Sequence, residues 1–221
     1  MPPRLTKLVV LDLDGPLLDG RDRHYQCYRD ILADFNSEAI ERDVYWDLKR
    51  NRSSLATQLE QSGVAHLCDQ FLFEWLKRIE LPEYLALDRI QPFAIEALEE
   101  LRGQAISAVL MTMRNHSEHL YRQLDELGLT GFFDKIVAVK SERGVTSKLN
   151  AALELLSTFE PGDLLWVGDT EADVLPAQQL KIPVCAIDTG LRSHAYLASL
   201  QPDFIIHSMA NLNDVIKTRS R

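Results

Sequence analysis

The feature that most constrains the fold is a series of short apolar runs separated by segments of helical periodicity. Six runs of four to seven residues predict strands at 7–13, 105–111, 135–139, 163–167, 184–188 and 204–207. Most of these runs are continuously apolar, which is typical of strands covered on both faces. Leucines at helical spacing predict helices at 93–102, 117–127 and 148–159. This alternation predicts an α/β fold with a doubly wound, mostly parallel sheet, whose ligands bind beyond the carboxyl ends of the strands.

One long segment departs from this rhythm. Between Leu18 and Asp88 the apolar residues recur at helical spacing and predict no strand. We therefore expect an inserted α-helical cap at 18–88 and an α/β catalytic core made of residues 1–17 and 89–221. A mobile cap at this place in the chain would cover a site at the end of the first strand.

Composition limits the classes of function. The chain of 221 residues carries a net charge of −9, which argues against binding to nucleic acid or to an anionic membrane. The three cysteines are widely spaced and form no CxxC motif, as expected of reduced packing residues. No apolar run is long enough for a signal peptide or a membrane span. We expect a cytoplasmic protein.

The first predicted strand ends in two carboxylates, Asp12 and Asp14, followed by Gly15. Alternation along an extended chain would direct both side chains the same way, and like charges held close together need a cation or a shared proton. A divalent ion and a phosphoryl group would explain the pair, with one carboxylate as nucleophile and the other exchanging protons. Alone the motif is weak, because Asp-Gly after a strand is more often a plain turn.

Two further positions carry groups suited to bind phosphate. Thr112 follows an apolar run and could donate a hydrogen bond to a phosphoryl oxygen, although a helix cap or strand end explains a lone threonine as well. Lys148 opens a predicted helix, where the helix dipole disfavours a cation. It is either a solvated surface lysine or a fixed ammonium that stabilises the transferring group. Lys140 is the alternative for that role.

The strongest single motif is Gly168-Asp169-Thr170-Glu171-Ala172-Asp173, at the end of another apolar run. Asp169 is placed to bind a metal, and Asp173 either orients a metal ligand or caps the following helix. Ligands that are all oxygen favour Mg²⁺ over zinc. His116 and His119 could also clasp a metal, but no third ligand is evident in the sequence, so a polar helix face is the simpler interpretation.

Taken together and in order, these motifs resemble the four motifs of the haloacid dehalogenase superfamily of hydrolases. The resemblance spans nearly the whole chain, and the segment from Leu127 to Asp134 is similar to phosphoglycolate-phosphatase-like members. It implies a Rossmann-like core and a small helical cap. Two departures stand out: Pro16 replaces the usual Thr or Val, and Lys148 is followed by Leu149 rather than by proline.

The resemblance also implies roles. Asp12 would be the nucleophile, Asp14 the general acid and base, and Thr112 and Lys148 the groups that hold the phosphoryl oxygens. Mg²⁺ would be bound by the Asp12 carboxylate, the Asp14 backbone carbonyl and Asp169, with Asp173 nearby. The expected reaction is magnesium-dependent hydrolysis of a small phosphate monoester through an aspartyl-phosphate.

Substrate specificity is predicted from three arginines. Arg50 and Arg52 lie in a basic segment of the cap that is either a solvated helix end or a binding site for a second anionic group of a small phosphorylated metabolite. Arg114 is the third predicted substrate-binding residue. Two alternatives remain open: a phosphomutase or phosphonate hydrolase on the same fold, and a non-catalytic phosphate-binding regulatory protein.

Overall fold

The computed structural model describes residues 5–140 and 145–220. Its eight described strands are β1 Leu8–Leu11, β2 Leu18–Asp19, β3 Arg89–Ile90, β4 Ser107–Met113, β5 Lys135–Val139, β6 Leu164–Gly168, β7 Val184–Ile187 and β8 Phe204–Ile206. Its eleven described α-helices are α1 Arg21–Asp34, α2 Arg42–Arg50, α3 Leu55–Glu60, α4 Cys68–Arg78, α5 Pro82–Leu85, α6 Ala94–Gly103, α7 Ser117–Glu126, α8 Val145–Leu155, α9 Glu171–Gln179, α10 His194–Ser199 and α11 Leu212–Arg219.

The chain divides into two compact units, residues 1–19 with 90–221 and residues 20–89. The sequence predicts a cap at 18–88 and a core made of residues 1–17 and 89–221.

The larger unit contains a six-stranded parallel sheet in the order β5-β4-β1-β6-β7-β8. From β1 the strand order runs outward through β4 and β5 on one side and through β6, β7 and β8 on the other. The order therefore reverses beside β1, which is where doubly wound sheets bind their ligands.

Alternating side chains of β1 enter two separate cores. Val9 and Leu11 belong to a core that includes residues of α6, α7 and α11, whereas Leu8 and Val10 belong to one that includes residues of α8, α9 and α10. Helices therefore cover both faces of the sheet, and β1 is buried throughout. The predicted doubly wound α/β fold is confirmed.

The smaller unit is formed by α1–α5 around a core of its own. This core includes the buried side chains of Cys27, Tyr28, Ile31, Tyr45 and Phe71. Rings of Tyr28 and Tyr45 stack with their centroids 4.3 Å apart. Ser54 caps the start of α3 by accepting a hydrogen bond from the backbone N–H of Thr57.

Several predicted element boundaries are wrong, and the backbone shows why. Phe93 and Ala105 have positive φ angles of 64° and 54°, so α6 begins only at Ala94 and β4 only at Ser107. Helix α8 begins at Val145, which makes Lys148 its fourth residue rather than its first. Leu18 and Asp19 form a short strand, although they were predicted to belong to the helical segment.

The chain after β1 turns back on itself instead of continuing as a strand. The carbonyl of Leu13 accepts hydrogen bonds from the backbone N–H groups of Leu17 and Leu18, and the N–H of Gly15 donates to the Leu18 carbonyl. Pro16 lies inside this turn, and none of these bonds needs the N–H that proline lacks. The turn thus accommodates the unusual Pro16.

Candidate active site

The candidate site lies at the edge of the sheet that the carboxyl ends of the strands form. There, β1 pairs in parallel with β4 on one side and with β6 on the other, so that residues of the three strands are aligned. Leu11 pairs with Leu110 of β4 and with Val167 of β6. Asp12 comes one residue after Leu11, Thr112 two residues after Leu110, and Asp169 two residues after Val167. Parallel pairing therefore places side chains that are far apart in sequence at the same edge.

Lys148 is the central cation of the site. Its side chain is fully buried, and its Nζ lies 2.7 Å from Asp12 Oδ2 and 2.5 Å from Asp173 Oδ1. Although α8 starts earlier than predicted, the fourth position on this helix still directs the ammonium to the end of β1. Lys140, the alternative candidate, is exposed.

Asp173 caps a helix, which is one of the two predicted interpretations, and it also contacts Lys148. Its role in orienting a metal ligand stays a prediction. Its Oδ2 accepts hydrogen bonds from the Thr170 hydroxyl at 2.9 Å and from the Thr170 N–H at 3.3 Å, while the Thr170 hydroxyl accepts from the Ala172 N–H. These contacts form a capping box at the start of α9. The other oxygen, Asp173 Oδ1, accepts hydrogen bonds from the ammonium of Lys148 at 2.5 Å and from Trp166 Nε1 at 3.4 Å.

Asp169 is held by the segment that follows β7. Its Oδ2 accepts a hydrogen bond of 2.5 Å from the backbone N–H of Leu191. The α-carbons of Gly15 and Gly190 pack so closely on the Asp169 carboxyl that an added Cβ at either position would overlap it. The Thr189 hydroxyl also donates to the Gly15 carbonyl at 3.0 Å, joining this segment to the turn after β1.

Burial and mutual repulsion shift the pKa values in the site. Burial is the main cause that raises the pKa of Asp12 from 3.8 to about 7, against the opposing attraction of Lys148. Burial also raises the pKa of Asp169 well above 3.8, with the charge of Asp12 adding to the effect. Burial alone would lower the pKa of Lys148, but Asp12 and Asp173 outweigh it and keep the ammonium protonated.

The Asp14 side chain turns to a different partner. Its Oδ1 lies 2.9 Å from Nη2 of Arg114, whose side chain is almost fully buried, whereas the Asp14 side chain is 21% exposed. Arg114, predicted to bind substrate, therefore contacts the predicted general acid directly. Thr112 is buried within β4 rather than beyond its end.

Arg50 and Arg52 belong to the other compact unit. Arg50 is the last residue of α2, and Arg52 follows it with a positive φ of 55°. Both remain predicted substrate-binding residues.

The donor set fits a hard divalent cation. Asp12, Asp169 and Asp173 are all buried, and each offers a carboxylate oxygen within 4.8 Å of the others. Lys148 compensates only part of their charge, and burial makes the remaining charge costly without a cation. Oxygen donors suit Mg²⁺, with Asp12 and Asp169 as the ligands expected from the sequence motifs.

Two groups that help to form the site were not predicted from the sequence, the backbone N–H of Leu191 and the α-carbon of Gly190. The Leu191 N–H is a backbone donor and leaves no signature in residue types. Gly190 could have been noticed, because Thr189-Gly190 follows an apolar strand in the way that Asp14-Gly15 follows β1.

Comparison with known proteins agrees with this geometry. A family model described as haloacid dehalogenase-like hydrolase matches residues 9–187, and the chain belongs to this family of enzymes. Pyrophosphatase PpaX from Bacillus cereus (strain B4264) is 29% identical over 222 residues, which covers 96% of this chain and 97% of the relative.

Solved structures share the fold. A haloacid dehalogenase-like hydrolase from Streptococcus pneumoniae superposes with a TM-score of 0.77 at 20% identity, covering 95% of this chain and 98% of that one. A predicted phosphoglycolate phosphatase from Haemophilus somnus superposes with a TM-score of 0.71 at 19% identity, covering 95% and 97%. No helix within residues 5–140 and 145–220 is long and apolar enough to cross a membrane.

Proposed function

We propose that the protein hydrolyses small phosphate monoesters with Mg²⁺ as cofactor and Asp12 as nucleophile. The observation that carries this proposal is the buried ammonium of Lys148 within 2.7 Å of the Asp12 carboxylate. A fixed cation there can neutralise the oxygens of a phosphoryl group as it reaches Asp12. Family membership and the phosphatase names of the relatives support the same chemistry.

The reaction divides into two transfers. Asp12 attacks phosphorus, the bond from phosphorus to the ester oxygen breaks, and Asp14 protonates the departing oxygen. Asp14 then takes a proton from water as the water oxygen attacks phosphorus, which releases phosphate and restores the Asp12 carboxylate. Arg114, in contact with Asp14, would hold that carboxyl in position throughout. Mg²⁺, held by Asp12, Asp169 and the Asp14 carbonyl, would neutralise charge on the phosphoryl oxygens.

Asp12→Asn is the direct test. Purified wild-type protein should release inorganic phosphate from at least one member of a panel of phosphate monoesters, only with Mg²⁺, and the variant should not. Acid-quenched protein should carry one phosphoryl group on the peptide containing residue 12. Asp214→Asn, which removes an exposed carboxylate from α11, is the matched control and should keep wild-type activity.

The same panel separates the alternatives. Phosphate transfer to a second sugar hydroxyl without phosphate release would indicate a phosphomutase. Cleavage of a carbon–phosphorus bond would indicate a phosphonate hydrolase. Phosphate binding without turnover would indicate a regulatory protein. Inorganic pyrophosphate belongs in the panel because the relative named above is a pyrophosphatase.

The predicted substrate contacts of Arg50 and Arg52 are tested by kinetics. Arg50→Ala and Arg52→Ala should raise KM for a phosphorylated carboxylic acid and leave KM for a neutral aryl phosphate unchanged. Arg29→Ala, an exposed arginine of α1, is the control. Equal KM values in all three variants would assign Arg50 and Arg52 to the solvated surface.

A further inference from the structure

A second group of metal-binding side chains lies outside the candidate active site. It consists of Asp188, His194 and His207, which we call the Asp-His-His cluster, and their donor atoms all lie within 4.8 Å of one another. It shares no residue with Asp12, Asp169 and Asp173. The proposed reaction uses none of its members.

Three separate segments supply the cluster. Asp188 directly follows β7, His194 is the first residue of α10, and His207 directly follows β8. Strands β7 and β8 are parallel neighbours with Ile187 paired to Ile206, so Asp188 and His207 leave the sheet side by side. The backbone N–H of Asp188 donates to the Ile206 carbonyl at 3.2 Å and fixes this register. The fold, rather than proximity in sequence, brings the donors together.

The ring nitrogens of the two histidines contact the same carboxylate oxygen. The Nδ1 atoms of His194 and His207 lie 3.0 and 2.7 Å from the same oxygen, Oδ2 of Asp188. Bonds of about 2.0–2.2 Å around a tetrahedral zinc ion place ligand atoms about 3.4 Å apart, so a small outward movement of the imidazoles admits the ion. The two imidazole rings lie next to each other, with centroids 5.3 Å apart and a tilt of 31° between the ring planes.

Exposure differs among the ligands in a way that suits an accessible metal site. The Asp188 side chain is only 11% exposed and is held at the sheet edge, whereas the imidazoles of His194 and His207 are 56% and 71% exposed. An ion can therefore enter from solvent, and the side opposite the protein stays open for water.

We propose that Asp188, His194 and His207 form a binding site for a divalent transition metal ion, with zinc as the expected occupant. Two imidazole nitrogens and one carboxylate oxygen suit Zn²⁺, Co²⁺ and Cu²⁺ better than Mg²⁺, which prefers oxygen ligands. The chain then binds two kinds of metal at separate places, a hard cation at the buried carboxylates and a transition metal at the Asp-His-His cluster.

The test is a Zn²⁺ titration of full-length protein that carries no polyhistidine tag, in excess Mg²⁺ so that the oxygen site is saturated. A chromophoric chelator competing for Zn²⁺ reports affinity, and Co²⁺ in place of Zn²⁺ gives a visible absorption spectrum that reports nitrogen ligation. The wild-type protein should bind one equivalent. His194→Ala and His207→Ala should each weaken binding by about 10-fold or more, and the double variant should abolish it.

His116→Ala/His119→Ala is the matched control, because it removes the other close pair of imidazoles, whose centroids are 5.4 Å apart. It should leave Zn²⁺ affinity unchanged. All variants should melt at the wild-type temperature in EDTA, and Zn²⁺ should raise the melting temperature of wild type and of the control only. Absence of Zn²⁺ binding by wild type, undiminished binding by the His194/His207 double variant, or loss in the control would each overturn the proposal, leaving an ordinary hydrogen-bonded cluster.

Discussion

At the scale of single residues, Lys148 has both a structural and a chemical task. It is the buried partner of two carboxylates, and removing one member of a buried ion pair leaves charge without compensation. The same ammonium lies 2.7 Å from the carboxylate of Asp12, the residue at which the proposed reaction starts. Stability and catalysis therefore depend on one side chain, and a substitution should affect both.

We expect Lys148→Met to lower the free energy of unfolding by about 3–5 kcal/mol and to abolish phosphate release. Urea unfolding and a phosphate assay measure the two effects. Lys140→Met is the control, because Lys140 is exposed. In this variant the free energy of unfolding should fall by less than about 0.5 kcal/mol, and kcat should not change. A larger loss of activity in the Lys140 variant than in the Lys148 variant would assign the stabilisation of the phosphoryl group to Lys140.

Asp12 links metal binding to pH. Because its pKa is raised to about 7, Asp12 holds a proton below that pH and must release it to bind Mg²⁺. Apparent Mg²⁺ affinity should therefore increase as pH rises through about 7, and the raised pKa of Asp169 should add to this dependence. Calorimetry in buffers of different ionisation enthalpy should detect protons released on binding below pH 7, and Asp12→Asn should release fewer. Proton release equal to that of wild type would show that other groups carry the linkage.

The same shift predicts how stability depends on pH without metal. Between 3.8 and about 7 the folded protein keeps a proton on Asp12 that the unfolded chain has lost. The free energy of unfolding should therefore fall as pH rises through this interval. Thermal melts in EDTA measure the slope, which should be shallower for Asp12→Asn. A slope of opposite sign that disappears in this variant would contradict the raised pKa.

The carboxylates of the site could be predicted because Asp12 and Asp169 stand in short motifs at the ends of apolar runs, whereas Lys148 was predicted from its place in a helix. Asp12, Asp169 and Asp173 meet as a group in the structure, and Lys148 contacts two of them. The contact between Asp14 and Arg114 was not predicted, since the two residues are 100 positions apart. The Leu191 donor was also missed, because any residue type except proline supplies a backbone N–H.

At the scale of elements, the order of the six strands of the sheet along the chain was predictable. The first residues of β5, β7, β8 and α7 match the prediction, whereas those of α6, β4 and α8 do not. Apolar runs identify buried strands because both faces of the sheet are covered. The starts of α6 and β4 depend instead on positive φ angles at Phe93 and Ala105, which are uncommon for residues other than glycine and leave no trace in composition. No role was predicted for the segment after β7, although it positions Asp169.

Gly190 tests that segment. Gly190→Ala should displace the backbone that donates to Asp169, because the new Cβ would overlap the Asp169 carboxyl. We expect Mg²⁺ affinity and kcat to fall about 10-fold or more and unfolding free energy to fall by about 1–3 kcal/mol. Gly131→Ala is the control, because a Cβ there meets nothing within 4 Å. Wild-type Mg²⁺ affinity in Gly190→Ala would show that the close packing is not required.

At the scale of the whole molecule, the chain is a sheet-based unit interrupted by a helical one, each with its own core. An inserted unit must begin and end at neighbouring points, and closing such a long loop costs conformational entropy. Residues 20–89 meet this requirement with an ion pair near their two ends. Arg23 Nε lies 3.0 Å from Asp88 Oδ1, and the side chains are 2% and 0% exposed.

This ion pair gives a prediction about the stability of the inserted unit. Arg23→Met should lower the free energy of unfolding by about 3–5 kcal/mol, because it leaves the Asp88 carboxylate buried without this guanidinium. Adding Asp88→Leu should recover part of that loss, since no buried charge then remains. Arg42→Met is the control in the same unit: the Arg42–Asp22 pair is equally short at 2.9 Å but half exposed, so its loss should cost under about 1 kcal/mol.

Urea unfolding followed by tryptophan fluorescence measures the stability of the wild type and the three variants. Trp46 and Trp75 report directly on the helical unit because both lie within it. Equal destabilisation by Arg23→Met and Arg42→Met would mean that burial of the Arg23–Asp88 pair adds nothing to the closure of the insertion.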